Sequence, residues 1–544
     1  MSTGGRCGQG CASTTTTPAV VYFPAGTYII SASIVDYFYT QLVGDPTNPP
    51  VLKATAGFSG FGLIDGDKYF GPNLNWPSTN VFYRQVRNFV LDTTSIPATS
   101  AATGIHWPTA QATSLQNVVF QLSAGAGTKH VGLFIESGSG GFMTNLTFNG
   151  GMIGAQVGNQ QFTMRAMVFN NCVTAISQLW DWGWVYQGLS INNCQKGIDL
   201  SATNPSGDLS VGSTTIIDSA IANTPVGIVI AYTSTSQPPT AGSLILENVA
   251  LTNVPTAVQY SGNGAAVLAG GTLTIAAWGE GHKYTPSGPV SFQGVFTPVT
   301  RPAPLLSGAA YYTRSKPQYE TLPASSFVSV RSAGATGNGV TDDTAALQGA
   351  INSATAAGNL VFFDAGTYLV TNTLHVPPGA RLVGEMLCSI IMSSGPNFSD
   401  MTNPQPVVQV GTPGQTGAAV EWSDMIVATQ GPQDGAVLIE WNLGTSGGAP
   451  SGMWDVHTRI GGFTGSDLQI AQCEKTPGSP AVNMQCVGAF MSMHVTSGAT
   501  GLYMENNWLW TAGKLCFIFF RPFPRICYGL SARDSAVAYF WGMI

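Results

Sequence analysis

A short motif returns along this chain at nearly fixed intervals, and it limits the possible folds more than any other feature. Leu146-Thr147-Phe148-Asn149-Gly150, Val168-Phe169-Asn170-Asn171-Cys172 and Ser190-Ile191-Asn192-Asn193-Cys194 are close copies. Ala220-Ile221-Ala222-Asn223 and Ala250-Leu251-Thr252-Asn253 are looser ones. The apolar anchors stand at 148, 169, 191, 221 and 251, so the steps are 21, 22, 30 and 30. Six and seven residues after each anchor comes a small residue and then an apolar one: Gly154-Ala155, Ala175-Ile176, Gly197-Ile198, Gly227-Ile228 and Ala257-Val258. A period this short leaves no room for a βαβ unit. It predicts one coil of a parallel β-helix, stacked about 4.8 Å above the last, with inward apolar residues forming a continuous core. Asn at the corners tolerates left-handed backbone and bonds along the stack. The 30-residue steps read as the same coil with a longer loop on one side. A leucine-rich repeat is the competitor, but its Leu consensus is missing.

A second repeat has an offset of 340. Tyr22-Phe23-Pro24-Ala25-Gly26-Thr27-Tyr28 matches Phe362-Phe363-Asp364-Ala365-Gly366-Thr367-Tyr368, and Leu42-Val43-Gly44-Asp45 matches Leu382-Val383-Gly384-Glu385. The chain therefore holds one architecture twice. Before the second copy, Gly337 to Thr344 leads into a helix expected over Ala345–Ala357, with Thr341 and Asp342 as capping types, Leu347 and Ile351 on one face, and Gly358 at its end. Such a helix would cap the open end of a solenoid. The first copy shows no equivalent. The expected organisation is a first β-helix domain over 1–300 with its N-terminal cap missing, a linker over 301–326, a second capped β-helix over 327–512, and a non-repeat tail over 513–544.

Charged residues make up only 9% of the chain, against about 25% in an average globular protein. Disorder, coiled coils and charged bundles are thereby excluded. The net charge of −7 comes without a basic run, which argues against a nucleic-acid partner. No apolar stretch is long enough to cross a membrane as a helix. The six scattered histidines form no zinc-type pair, so neither metal nor other cofactor is expected. Cys7 and Cys11 could close a small loop, and Cys473–Cys486 is a further candidate bridge. Cys172 and Cys194 hold the same repeat position one coil apart, within disulfide reach; two stacked buried thiols are the alternative. Two glycosylation sequons, at Asn145 and Asn397, suit a secreted protein, although no signal peptide precedes the first strand.

The chain resembles the family 55 glycoside hydrolases, fungal β-1,3-glucanases built from tandem β-helices. In the first half the resemblance is carried by Arg6-Cys7-Gly8-Gln9-Gly10-Cys11, by Phe82-Tyr83-Arg84-Gln85-Val86-Arg87-Asn88-Phe89, by Gly104-Ile105-His106-Trp107 and by Gly158-Asn159-Gln160-Gln161-Phe162-Thr163. In the second half it is carried by Trp454-Asp455-Val456-His457-Thr458-Arg459-Ile460-Gly461-Gly462-Phe463 and by Tyr503-Met504-Glu505-Asn506-Asn507-Trp508-Leu509-Trp510. It implies an all-β fold of two tandem right-handed parallel β-helices of the pectin-lyase type, the second incomplete at its C-terminus. It also implies an extracellular parent protein, working as a monomer without metal, that hydrolyses β-1,3-glucan exo-wise with inversion.

Inversion needs a protonated carboxyl and a second group that activates water. Glu505, beside Trp508 and Trp510, and Asp455, beside Trp454 and His457, are the candidates for contact with substrate; polar corner residues are the bland alternative. Trp180, Trp182 and Trp184 alternate, so in a strand all three would face one side and offer a stacking surface for glucose; ordinary packing is the alternative. The resemblance assigns water-positioning to glutamines of the first β-helix, which points to Gln160 and Gln161. His106 and Trp107 could line the same cleft, or be buried. The resemblance stops at Ala512, while the family's general acid lies in later coils. The expectation is therefore a fragment or mis-spliced product that does not itself cleave β-1,3-glucan. A non-catalytic glucan-binding β-helix is the alternative. A pectin-degrading β-helix is a further one, but this chain lacks the Asn-Thr-Asp, Gly-His-Gly and Arg-Ile-Lys motifs of polygalacturonases.

Overall fold

The computed structural model describes residues 15, 17–474 and 481–512. They form two units, Met1–Ser315 and Lys316–Ile544, each with its own core. Cys7, Cys11 and the segment 513–544 lie outside the described residues.

The first unit is a stack of parallel strands whose register follows the repeat. Phe148 pairs with Phe169, Phe169 with Ile191, Ile191 with Ile221 and Ile221 with Leu251. The second column runs Ala155, Ile176, Ile198, Ile228, Val258. All of these side chains are buried. Phe120, one coil earlier, extends the anchor column: its ring stacks on Phe148 at 4.4 Å, and Phe148 stacks on Phe169 at 4.7 Å. The small residue of the repeat has a steric cause. A Cβ added at Gly154 would come within 2.6 Å of the Phe169 ring, and one added at Gly132 would come equally close to the Phe148 ring.

The corners are ladders of left-handed residues. Asn88, Asn117, Asn145, Asp218 and Asn248 have positive φ on one edge, and Asn171, Asn193, Asn223 and Asn253 on another. Their amides bond coil to coil, as from Asn145 to Asn117 at 3.0 Å and from Asn193 to Asn171 at 2.6 Å. Asn supplies this conformation at low cost together with a donor and an acceptor. The last coil is closed by antiparallel strands: Ala266–Thr285 pairs with Ser243–Tyr260, and Gly288–Val295 adds beyond it. The segment after it stays with this unit, because Arg301 is held by Asp218 at 2.6 Å and Glu247 at 2.8 Å.

Cys172 and Cys194 are buried free thiols in this structure, not the expected disulfide. Each donates to the carbonyl two residues before it, of Asn170 at 3.8 Å and Asn192 at 3.6 Å. The coil repeat thus satisfies each thiol in its own corner. Cys473 and Cys486 do form a disulfide, with Cα atoms 5.7 Å apart.

The second unit repeats the start of the first in detail. Val21 pairs with Leu42, and Val361 with Leu382. Tyr28 donates to the Pro24 carbonyl at 2.9 Å, and Tyr368 to the Asp364 carbonyl at 2.8 Å. Each tyrosine meets the preceding Phe edge-on at an interplanar angle of 83°. Two further columns then rise in parallel, such as Leu374, Val408, Ile439 and Met493. The helix spans Thr344–Ala356 and buries Leu347 and Ile351, and Gly358 follows at φ +70°. Asp342 accepts from the Thr344 N–H at 3.0 Å. Asp343 instead ties down the preceding loop through the Thr336 and Gly337 amides.

A cavity beside Trp180 and a carboxylate–histidine cluster

Two coils of the first unit have the 30-residue step, and their extra residues build a cavity. It is open to solvent, has a volume of about 640 Å³, and is lined by Trp180, Asn204, Asp208, Leu209, Ser210, Gln237 and Pro238. Asn204 to Ser210 come from the loop of one long coil and Gln237 and Pro238 from the next. The Leu209 N–H donates to the Gln237 carbonyl at 2.7 Å and joins the two loops. Asn204 organises the first loop, accepting from the Ser206 and Asp208 amides at 2.9 Å and donating to the Asp208 carboxylate at 3.1 Å. One indole face, two amides, a hydroxyl and a carboxylate converge here.

The three tryptophans do not share a side. The register slips between Val157 and Gly158, so Gly158 lies opposite Trp180 where an unbroken ladder would give Leu179. Trp180 lies half-buried at the cavity wall, and Trp182 is 68% exposed. Trp184 is buried, stacked on Phe162 at 5.0 Å beside Tyr186. Trp184 is therefore core and not a substrate contact. Asp181 accepts from the Gly212 and Ser213 amides at 3.1 and 2.9 Å, and burial pushes its carboxyl up to about 7. Gln160 and Gln161 are half-exposed one coil back, with Gln161 opposite Gly183 and Gln160 at the level of Trp182.

Behind Trp180 lies a cluster that the sequence did not disclose. The His106 imidazole is sealed from solvent. Its Nδ1 lies 2.8 Å from Asp65 Oδ1 and its Nε2 3.0 Å from Glu136 Oε1. Burial opposes the imidazolium, but the bonds to Asp65 and Glu136 outweigh it and raise the ring's pKa. With a carboxylate at each nitrogen, both nitrogens donate. Tyr69 stacks on the ring at 5.1 Å and donates its hydroxyl to Glu136 in a short hydrogen bond. Phe61 and Phe134 pack against the ring as well. Asp67, next along the chain, is pushed up to about 6 by burial. Glu136 keeps 22% of its side chain exposed, so it brings this buried charge network to the surface. The arrangement fixes a carboxylate in place, able to accept hydrogen bonds from hydroxyl groups. The signal for it was the coil step: His106 pairs with Phe134 across the same sequence interval that relates Phe120 to Phe148.

The other expected residues fall elsewhere. Trp107 is fully buried beneath the Arg84 guanidinium, 4.5 Å from its ring. Arg84 in turn donates to the carbonyls of Asp36, Gly66 and Pro108. Trp107 therefore packs under a buried cation and does not line a cleft. In the second unit Asp455 is buried, and it shares Lys316 with Asp424, both at 2.6 Å. It also accepts from Asn506 at 2.5 Å. Asp424, Asp455 and Asn506 all have positive φ, so Asp455 is a corner residue of the stack and not an exposed sugar contact. Glu505 is likewise buried and accepts from Tyr503 at 2.6 Å.

The chain matches the family model described as rhamnogalacturonase A/epimerase, pectate lyase-like, over residues 1–199 and 327–446. It is 50% identical over 517 residues to a glucan 1,3-beta-glucosidase of Cochliobolus carbonum, covering 94% of this chain and 65% of that protein. It is 40% identical over 613 residues to a probable glucan endo-1,3-beta-glucosidase of Arthroderma benhamiae, covering 94% and 69%. The chain thus spans about two thirds of the length of these relatives. Similarity to the solved structure of sacteLam55A from Streptomyces sp. SirexAA-E is remote, at 15% identity and a TM-score of 0.37 over 81% of this chain and 59% of that one.

Proposed function

The chain belongs to the family 55 glycoside hydrolases, on a pectate lyase-like scaffold, and from that premise we propose that it engages β-1,3-glucan, in the laminarin-like form, for hydrolysis. The observation that carries this reading is the cavity of the two long coils, with Trp180 on its wall and its indole N–H bonded to the Glu136 main-chain carbonyl. An indole face suits the apolar face of a glucose ring, and amides, hydroxyl and carboxylate suit its hydroxyls. Trp182, exposed two residues further along the same strand, offers a second indole to solvent. Glu136, fixed by His106 and Tyr69, is the group placed to accept a proton or orient water. The Cys473–Cys486 disulfide supports an extracellular setting. The antiparallel closure of the last coil removes one free edge and supports a monomer.

Binding without cleavage is the second reading. Asp455 and Glu505, the carboxylates first in line for the chemistry, are buried and hydrogen-bonded. The full chain should be assayed by affinity electrophoresis in laminarin gels and by sugar release from laminarin. Retardation with release supports the hydrolase, and retardation alone supports the binder. Retardation by polygalacturonate and not by laminarin overturns both.

A further inference from the structure

The two glycosylation sequons sit in opposite environments. Asn145 occupies the corner ladder of the first unit with φ of 56°. Its amide donates to Asn117 at 3.0 Å and to Ser315 at 2.9 Å, so both N–H groups are committed. A sugar there would replace one of these donors and push into the stack, where the neighbouring side chains Met143 and Leu146 are buried.

Asn397 is the reverse case. It is exposed at the tip of a single turn, Pro396–Phe398, between two fixed points. Phe398 is fully buried and anchors the turn in the core of the second unit. The Gly435 N–H donates to the Phe398 carbonyl at 2.9 Å. Ser399, the hydroxyl residue of the sequon, is exposed and donates to the carbonyls of Gly395 and Pro432, both at 3.2 Å. Among the described residues the Asn397 amide has no hydrogen-bond partner. A glycan there would displace nothing.

We propose that Asn397 is an N-glycan acceptor and that the folded protein carries no glycan at Asn145. In the transfer, the Asn397 amide nitrogen attacks the anomeric carbon of a lipid pyrophosphate-linked oligosaccharide. A C–N bond forms, the bond from that carbon to the pyrophosphate oxygen breaks, and the amide loses one proton. The Ser399 hydroxyl is the element of the sequon that the transferase requires, and the exposed tip leaves the product in solvent.

The test is expression of the full chain behind a cleavable leader in a yeast host, with the folded, protease-resistant chain taken from medium and secretory compartment together. The expected result is an endoglycosidase-sensitive mass shift that Asn397→Gln and Ser399→Ala each abolish and Thr147→Ala leaves unchanged. Glycopeptide mass spectrometry should place the sugar on Asn397. A folded chain bare at Asn397, or one carrying sugar at Asn145, overturns the proposal. The readout is independent of glucan binding, so it stands or falls apart from the function proposed above.

Discussion

Trp180 donates its indole N–H to the main-chain carbonyl of Glu136 at 2.8 Å. This bond ties the aromatic wall of the cavity to the main chain of the residue whose carboxylate His106 and Tyr69 hold in place. Trp180→Phe keeps an aromatic face but leaves that carbonyl without this donor. It should lower stability by about 1 kcal/mol and weaken laminarin retardation, both measurable on the same purified protein.

Trp182 and Trp184 should separate cleanly. Trp182→Ala removes an exposed ring and should weaken laminarin binding by about 1 kcal/mol, roughly fivefold in Kd, with unfolding unchanged. Trp184→Ala opens a hole beside Phe162 and should cost about 3–5 kcal/mol in denaturant unfolding. Unchanged laminarin binding in the first variant would remove Trp182 from the proposed surface.

The aromatic column carries the first unit. Phe148 lies between Phe120 and Phe169 and is fully buried. Phe148→Ala should cost about 3–5 kcal/mol, and Phe148→Leu clearly less, since it fills more of the volume.

Lys316 neutralises two buried carboxylates, Asp424 and Asp455. Lys316→Met leaves both charges facing each other in the stack and should cost about 3–5 kcal/mol. Combining it with Asp424→Asn should restore part of the loss, because one uncompensated charge is then gone.

Two groups give the first unit the same pH dependence. Burial pushes Glu280 up to about 8, with Gln293 its hydrogen-bond donor at 3.0 Å. The folded state therefore keeps a proton that the unfolded chain loses near 4.5, and stability falls as pH rises from about 4.5 through 8. His106, also raised, contributes stability that is full below about 6.5 and is lost as pH rises through its folded value. Glu280→Gln should flatten the stability–pH curve and stabilise the protein at pH 8 by on the order of 2–4 kcal/mol. Glu136→Gln removes one partner of His106 and should lower the imidazole pKa, read by NMR titration.

The sequence alone determined the stacking. Each coil must put one apolar residue in the anchor slot and one small residue above the next ring, so Phe148, Phe169, Ile191 and the Gly154 slot recur at readable steps. The duplication was legible for the same reason, down to the Phe23–Tyr28 and Phe363–Tyr368 pairs. The longer steps announced the loops that form the cavity. What the tertiary structure decided is which side chains face that cavity. Alternation placed Trp180, Trp182 and Trp184 together, but the fold gives them three environments: the cavity wall, solvent and the core. Asp65, His106 and Glu136 come from separate coils, and no local pattern marks them; only the stacking of those coils brings two carboxylates to one ring. Asp455 looked like chemistry beside Trp454 and His457. Its fate was set by Lys316, 139 residues away in the chain, because a buried corner carboxylate must find a cation wherever the fold supplies one.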